Sequence, residues 1–438
     1  MKRSLLFVSI ALLLTACLPR DVQVPQSPLL PLLERKSGLI AYVGIDGNIY
    51  TSDQAGRHLQ SHTTDAVLPE DASAAFRYYL YPAWAPDGNS LAYVGVSGQG
   101  TATSSELFIA NIADATSRKV FASESEHPFY LYWSPDSINL SFLSTTPTGG
   151  SMILQSVSTE AEDRTILDIG SPYYWSWAPD GRTMIVHTGS ASSTTPEHLS
   201  FLQMDDPVLE DGLSESPASF QAPAWSPNGE HILSTRINDD GQKEIVVLNR
   251  RGEFEKSVGT FALNAAFAWS SDNTTVAYIE GDRDISAGTI GTMHVVDLDT
   301  GEDLFQDENV YALFWSPSGE KIAYFLPLVT EAASDQGGDG STTQQQGQQL
   351  LLQLKVLDVK SGESRELYTF RPSDQFIQIL PYFDQYHQSV TIWSPDDNNL
   401  VLSFLTTDGA PGIAIAAASG QLEPRLLAQG FLAFWSPK

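Results

Sequence analysis

Tyr311-Ala-Leu-Phe-Trp-Ser-Pro-Ser-Gly-Glu-Lys-Ile-Ala-Tyr-Phe325 is the stretch on which the reading of the chain turns. Its first five residues are apolar and read as a short buried strand. Ser-Pro-Ser-Gly reads as a tight turn. Proline presets φ, the serine side chains bond turn amides, and glycine takes the left-handed position. Ile322-Ala-Tyr-Phe325 then reads as the returning strand.

Working outward, the same pattern recurs at Trp84-Ala-Pro-Asp-Gly88, Trp133-Ser-Pro-Asp-Ser137, Trp177-Ala-Pro-Asp-Gly181 and Trp225-Ser-Pro-Asn-Gly229. Further copies are Trp269-Ser-Ser-Asp-Asn273, Trp393-Ser-Pro-Asp-Asp397 and Trp435-Ser-Pro437. With Trp315 they hold eight of the nine tryptophans, at intervals of 49, 44, 48, 44, 46, 78 and 42 residues. A period in the forties is that of a propeller blade. Each copy continues into a third strand ending in a polar turn, as in Met293-His-Val-Val-Asp-Leu-Asp-Thr-Gly301. A short fourth strand follows, as in Arg365-Glu-Leu-Tyr368. Four antiparallel strands make a blade, and the tryptophans are expected to pack between blades.

This repeat resembles the PD40 repeat found in TolB and in the propellers of prolyl-oligopeptidase-like enzymes. The resemblance covers residues 38–438 and implies an all-β fold, a single β-propeller. WD40 fits less well, because no Trp-Asp dipeptide occurs. Ser271 stands in the proline position, Ser318 in the Asp position, and Ser137, Asn273 and Asp397 in the Gly position. TolB carries an α/β domain before its propeller, whereas here a tether is expected, so equivalence to TolB itself is not implied.

The last copy offers one strand, Gly430 to Trp435. Leu39–Val43, Asn48–Thr51 and Arg57–Gln60 read as second, third and fourth strands lacking a first. Pairing the two ends would close the ring and remove both sheet edges. Eight four-stranded blades are expected, with seven as the alternative. The 78-residue interval is attributed to Glu331–Gln349, EAASDQGGDGSTTQQQGQQ, which lacks large apolar residues and is expected to be a disordered loop insert, 331–349.

Residues 1–16 read as a signal peptide, with Lys2 and Arg3 before the apolar run Leu5 to Leu14, which is too short to span a membrane. Leu14-Thr15-Ala16-Cys17 resembles the lipobox of bacterial lipoproteins, which implies lipid attachment at Cys17. Cys17 is the only cysteine, so no intrachain disulfide is possible. Residues 17–37, with Pro19, Pro25 and Pro28, are expected to form a tether. The expected location is extracytoplasmic, on a bacterial membrane through this lipid anchor. With 24 basic and 53 acidic side chains the net charge is −29, which disfavours nucleic acid as a partner.

No G-x-S-x-G elbow and no H-E-x-x-H occurs. His58 and His62 are four apart on a strand-and-loop segment and are not expected to share a ligand face. Asp282/Asp284 and Asp335/Asp339 match no calcium-loop pattern and read as solvated turn acids. No catalytic residue, metal or cofactor is expected. One face stands out. Loops leading into first strands share a face with loops after second strands, and the former are rich in aromatics: Phe76–Tyr81, Phe129–Tyr132, Tyr173–Trp175, Phe220, Tyr311 and Phe376 through Tyr386. Tyr79, Tyr81, Tyr130, Tyr174, Trp175, Tyr311 and Tyr382 are the candidate binding residues. The resulting expectation is a non-enzymatic binding or scaffold propeller recognising a protein, peptide or glycan at the cell envelope. The alternatives are a subunit of an envelope-assembly complex, or a hydrolase with an unrecognised site in the channel.

Overall fold

A computed structural model describes residues 38–438 except 70, 72, 161–163, 190–195, 206, 284–287 and 332–347. Cys17, the signal segment and the tether lie outside the described residues, as do Asp284, Asp335, Asp339 and nearly all of the expected insert.

The strands form five separate four-stranded antiparallel sheets, over 75–123, 128–170, 173–212, 224–261 and 265–310, and one ten-stranded sheet. The ten-stranded sheet is pinched between Glu363–Pro372 and Asn399–Leu405, where only Arg371 with Leu405 and Pro372 with Phe404 pair. It divides again within the long strand Arg425–Trp435. The early half of that strand pairs with Pro411–Ala417, and the later half pairs with Ile40–Gly44. In each group the strand that leads into the repeat turn is innermost, and the chain is a β-propeller.

Burial follows strand order. Ala265–Trp269 is buried at every position, because sheets cover both of its faces. The outer strand Glu363–Pro372 is mostly open to water. This gradient explains why first and second strands are continuous apolar runs, whereas fourth strands are polar.

The repeat tryptophans join neighbouring copies. The indole N–H groups of Trp133, Trp269, Trp315 and Trp393 donate to the carbonyls of Ala83, Ala224, Ala268 and Phe314 at 3.0, 2.9, 3.2 and 2.9 Å. Each acceptor immediately precedes the repeat tryptophan of the copy before. Trp84 donates to Phe434 at 3.3 Å, which links the first copy to the last. Trp177 reaches its neighbour through a relay: it donates to Ser141 Oγ, which donates to the Tyr132 carbonyl. The expected closure by the chain ends is present, with Ile40 opposite Trp435 and Val43 opposite Leu432.

The 78-residue interval has a second cause that the sequence reading missed. Besides 332–347, it contains a helical excursion: α1 (Asp374–Ile379), a 3-10 turn (Leu380–Tyr382) and α2 (Phe383–Ser389). Ser373 caps α1 by accepting the Phe376 N–H. Phe376, Ile379, Leu380 and Phe383, at i, i+3, i+4 and i+7, are all buried. The expected insert is also trimmed at its ends, since Lys321–Glu331 and Gln348–Asp358 form one long hairpin in which Glu331 pairs with Gln348.

Candidate functional site

Helix α2 lies in the channel. It contacts four innermost strands from four different sheets: Pro128–Trp133, Tyr173–Trp177, Ala265–Trp269 and Ala312–Trp315. Its polar side chains replace the partners that inner-strand backbone would otherwise lack. Gln385 accepts the Trp175 N–H and donates to the Trp175 carbonyl. Asp384 Oδ2 accepts the Ala222 N–H at 3.0 Å, and Gln388 donates to the Pro223 carbonyl at 3.1 Å. Gly288 (φ +80°) packs so closely on Pro381 that a β-carbon there would lie 2.8 Å from Pro381 Cα. Only glycine meets both demands.

Above this plug opens a bowl of about 770 Å³. Its walls come from the entry ends of first strands and the loops before them, from Gly288 and Thr289 after a second strand, and from α1 and the 3-10 turn. Two wall aromatics are placed by bulges. The register slips between Leu80 and Ala83, where Tyr81 takes a left-handed φ of +55°, and between Pro128 and Tyr130, at Phe129. An extra residue in one strand re-aims a side chain, here into the bowl. On another wall Tyr174 stacks on Phe220, with ring centroids 4.6 Å apart.

Among the bowl's described lining residues Asp384 is the only carboxylate, and there is no Lys, Arg, His, Ser or Cys. Burial pushes the Asp384 carboxyl up to about 6, against the pull of the Ala222 and Gln385 N–H groups. It is therefore ionised at neutral pH. Burial, followed by the nearby Asp384, raises the Tyr174 phenol well above its ordinary range, so the phenol stays neutral. Below the plug, a smaller cavity of about 300 Å³ is lined by His387, Gln388, Trp177, Trp225 and Trp269.

The candidate residues divide. Tyr81, Tyr130, Tyr174 and Tyr382 line the bowl. Tyr382 is the most open of these and stands on the 3-10 turn. Tyr130 is a buried floor residue, its hydroxyl donating to the Gln385 carbonyl at 2.8 Å and its ring edge-on to Tyr386. Two expectations need correction. Tyr79 is buried against Tyr93 and Phe108, with its hydroxyl on Asp65, away from the bowl. Trp175 is fully buried and spends its backbone polar groups on Gln385. Both lie on strands whose alternation turns them into the core. Tyr311 is half-buried outside the bowl, and burial pushes its phenol up to about 12.

Sequence reasoning missed Tyr78, Phe129, Asn264, Gln375, Gln378 and Asp384 as lining residues. The first two lay within segments already marked as aromatic. Asp384 was unreadable, because its position depends on a helix where the sequence reads as a loop leading into a first strand. His58 pairs with Asp53, and His62 bonds Thr51, so the two share no site. Among the described residues no group of three or more His, Cys, Asp or Glu side chains is placed to hold a metal ion.

No protein-family model and no curated protein matches the chain. Solved structures do show similarity. TolB from Acinetobacter baumannii matches at 14% identity and TM-score 0.36, over 60% of this chain and 62% of that one. The chain thus spans less than two thirds of the TolB chain. An oligogalacturonate lyase in complex with manganese matches at 14% and 0.48, over 88% and 98%. The β-propeller domain of the Trilobed protease from Pyrococcus furiosus matches at 12% and 0.44, over 83% and 98%. None of these scores carries an argument about activity, and the propeller rests on the sheets themselves.

Proposed function

We propose that this chain is a binding propeller of the cell envelope that takes a protein segment, peptide or glycan into the bowl above α2 and performs no reaction on it. One observation carries this reading: a large, aromatic-walled cavity at the channel mouth, floored by a helix that meets inner strands of four sheets. A pocket of this size with few polar groups suits binding. Covalent catalysis needs an activated nucleophile beside a base, and the described lining holds one carboxylate, Asp384, with no Ser, Cys, His or Lys beside it. Anchoring through Cys17 would hold the bowl near the membrane, within reach of envelope components.

The test is retention by the immobilised full chain. Wild type, Tyr174→Ala/Tyr382→Ala and Asp299→Ala/Lys360→Ala are each exposed to envelope extract, after near-ultraviolet dichroism has verified the fold. Asp299 and Lys360 are exposed in turns on the opposite face. The bowl variant should lose retained material, since truncating an aromatic anchor typically costs about 2 kcal/mol, roughly 30-fold in affinity. Equal retention by the bowl variant, or loss only in the turn variant, overturns the proposal. The anchoring half is tested by Cys17→Ala, which should release the protein from membranes or leave it unprocessed. A variant that remains processed and membrane-bound rules the lipid anchor out.

A further inference from the structure

We infer that the group this bowl selects is an alkylammonium, a positively charged nitrogen on an apolar stem, seated at Asp384 and ringed by Tyr174, Tyr382 and Tyr386. The inference rests on the binding role proposed above and names the ligand chemistry of the same site.

Charge comes first. Asp384 is the bowl's only described carboxylate and no described cation lines the bowl, so a ligand carboxylate or phosphate finds no charged partner there. Asp384 Oδ2 accepts from Ala222 and Oδ1 from Gln385. Each carboxylate oxygen can accept twice, so both keep capacity for a ligand donor. The chain's net charge of −29 adds a long-range pull on cations.

Next come the rings. The faces of Tyr81, Phe129, Tyr174, Phe220 and Tyr382 carry negative quadrupole density, which favours a cation and tolerates its methylene stem. Tyr174, Tyr382, Tyr386 and Asp384 line the same bowl, so phenols and carboxylate converge on one region.

The test is calorimetric titration of the full chain with n-hexylammonium and its neutral counterpart 1-hexanol, with a blocked lysine and its Nε-acetylated form, and with a neutral hexasaccharide. The cation should bind at least tenfold more tightly than the alcohol. Asp384→Asn should erase that ratio while leaving the alcohol's affinity unchanged. Tyr174→Leu, which keeps bulk and removes the π face, should weaken the cation several-fold and serves if Asp384→Asn does not fold. If blocked lysine matches hexylammonium, the source is a peptide side chain. If only the free amine binds, the source is a small molecule. Both results support the inference. Equal binding of alcohol and cation, or a ratio that survives Asp384→Asn in a folded protein, overturns it. Binding of the hexasaccharide without any ammonium probe overturns it but leaves the binding role standing. Failure of every probe, together with unchanged retention by the Tyr174/Tyr382 variant, removes both.

Discussion

Gln385 is bonded to Trp175 at both polar groups of that residue's backbone: its Oε1 accepts the Trp175 N–H at 3.0 Å, and its Nε2 donates to the Trp175 carbonyl at 2.8 Å. A side-chain amide thus pairs with an innermost strand as another strand would. The same Nε2 also donates to the Tyr130 hydroxyl at 3.0 Å, so one residue of α2 joins two sheets. Gln385→Ala would leave these groups buried without partners. It should destabilise the protein by roughly 3 kcal/mol, visible as a lower midpoint in urea. Gln388→Ala, at a half-buried position, should cost about 1 kcal/mol.

Asp384 makes the plug pH-sensitive. Burial raises its carboxyl from 3.8 to about 6 in the folded protein. The native state therefore binds more protons than the unfolded state in this window. The stabilisation is fully present below about pH 4 and lost as pH rises through 6. The stability of wild type relative to Asp384→Asn should fall by an amount on the order of 3 kcal/mol between pH 4 and pH 8. Parallel denaturation curves of the two proteins check this. A flat difference would mean that the carboxyl is solvated.

The indole bonds predict an unequal tryptophan scan. Trp133 is buried and donates to Ala83, whereas the Trp225 Nε1 is buried without a hydrogen-bond partner among the described residues. Trp133→Phe should therefore cost about 1 kcal/mol more than Trp225→Phe. Chemical denaturation of the two variants measures the gap.

Ring closure depends on Gly430–Lys438. Removing these residues strips Ile40–Gly44 of one of its two partner strands and the Trp84 indole of the Phe434 carbonyl. Cooperative unfolding should be lost, or the protein should aggregate through the exposed edges. A truncated protein that melts like the full chain would show that the ring closes without this strand.

Glu331 and Gln348 are paired across the long hairpin. Replacing 332–347 by Asn-Gly should therefore be accepted as a two-residue turn. Stability should be unchanged or rise by up to about 2 kcal/mol, because a shorter loop costs less closure entropy. A fall in thermal midpoint would assign a packing role to the excised residues.

The blade pattern was legible because its signals are local. A turn with proline and a left-handed position lies within four residues of its own tryptophan, and strand burial shows as continuous apolar runs. The helical plug was legible in principle: Ser373 as a cap and Phe376, Ile379, Leu380 and Phe383 at helical spacing are present, but the ring of aromatics draws the same residues into a loop leading to a first strand. Tyr79 and Trp175 failed as surface residues for a different reason. In a strand whose sheet is covered on both faces, alternation does not say which side meets solvent.

By itself, the sequence determined the repeat, the antiparallel blades and the pairing of chain ends that closes the ring, since each follows from contacts between segments of matching periodicity. Only the tertiary structure decided what fills the channel. A short helix far along the chain meets inner strands from four sheets at once, and Asp384 comes to share one bowl with Tyr81, Phe129 and Tyr174 through that meeting. No periodicity encodes such a convergence, because its members belong to different copies of the repeat and share no local pattern.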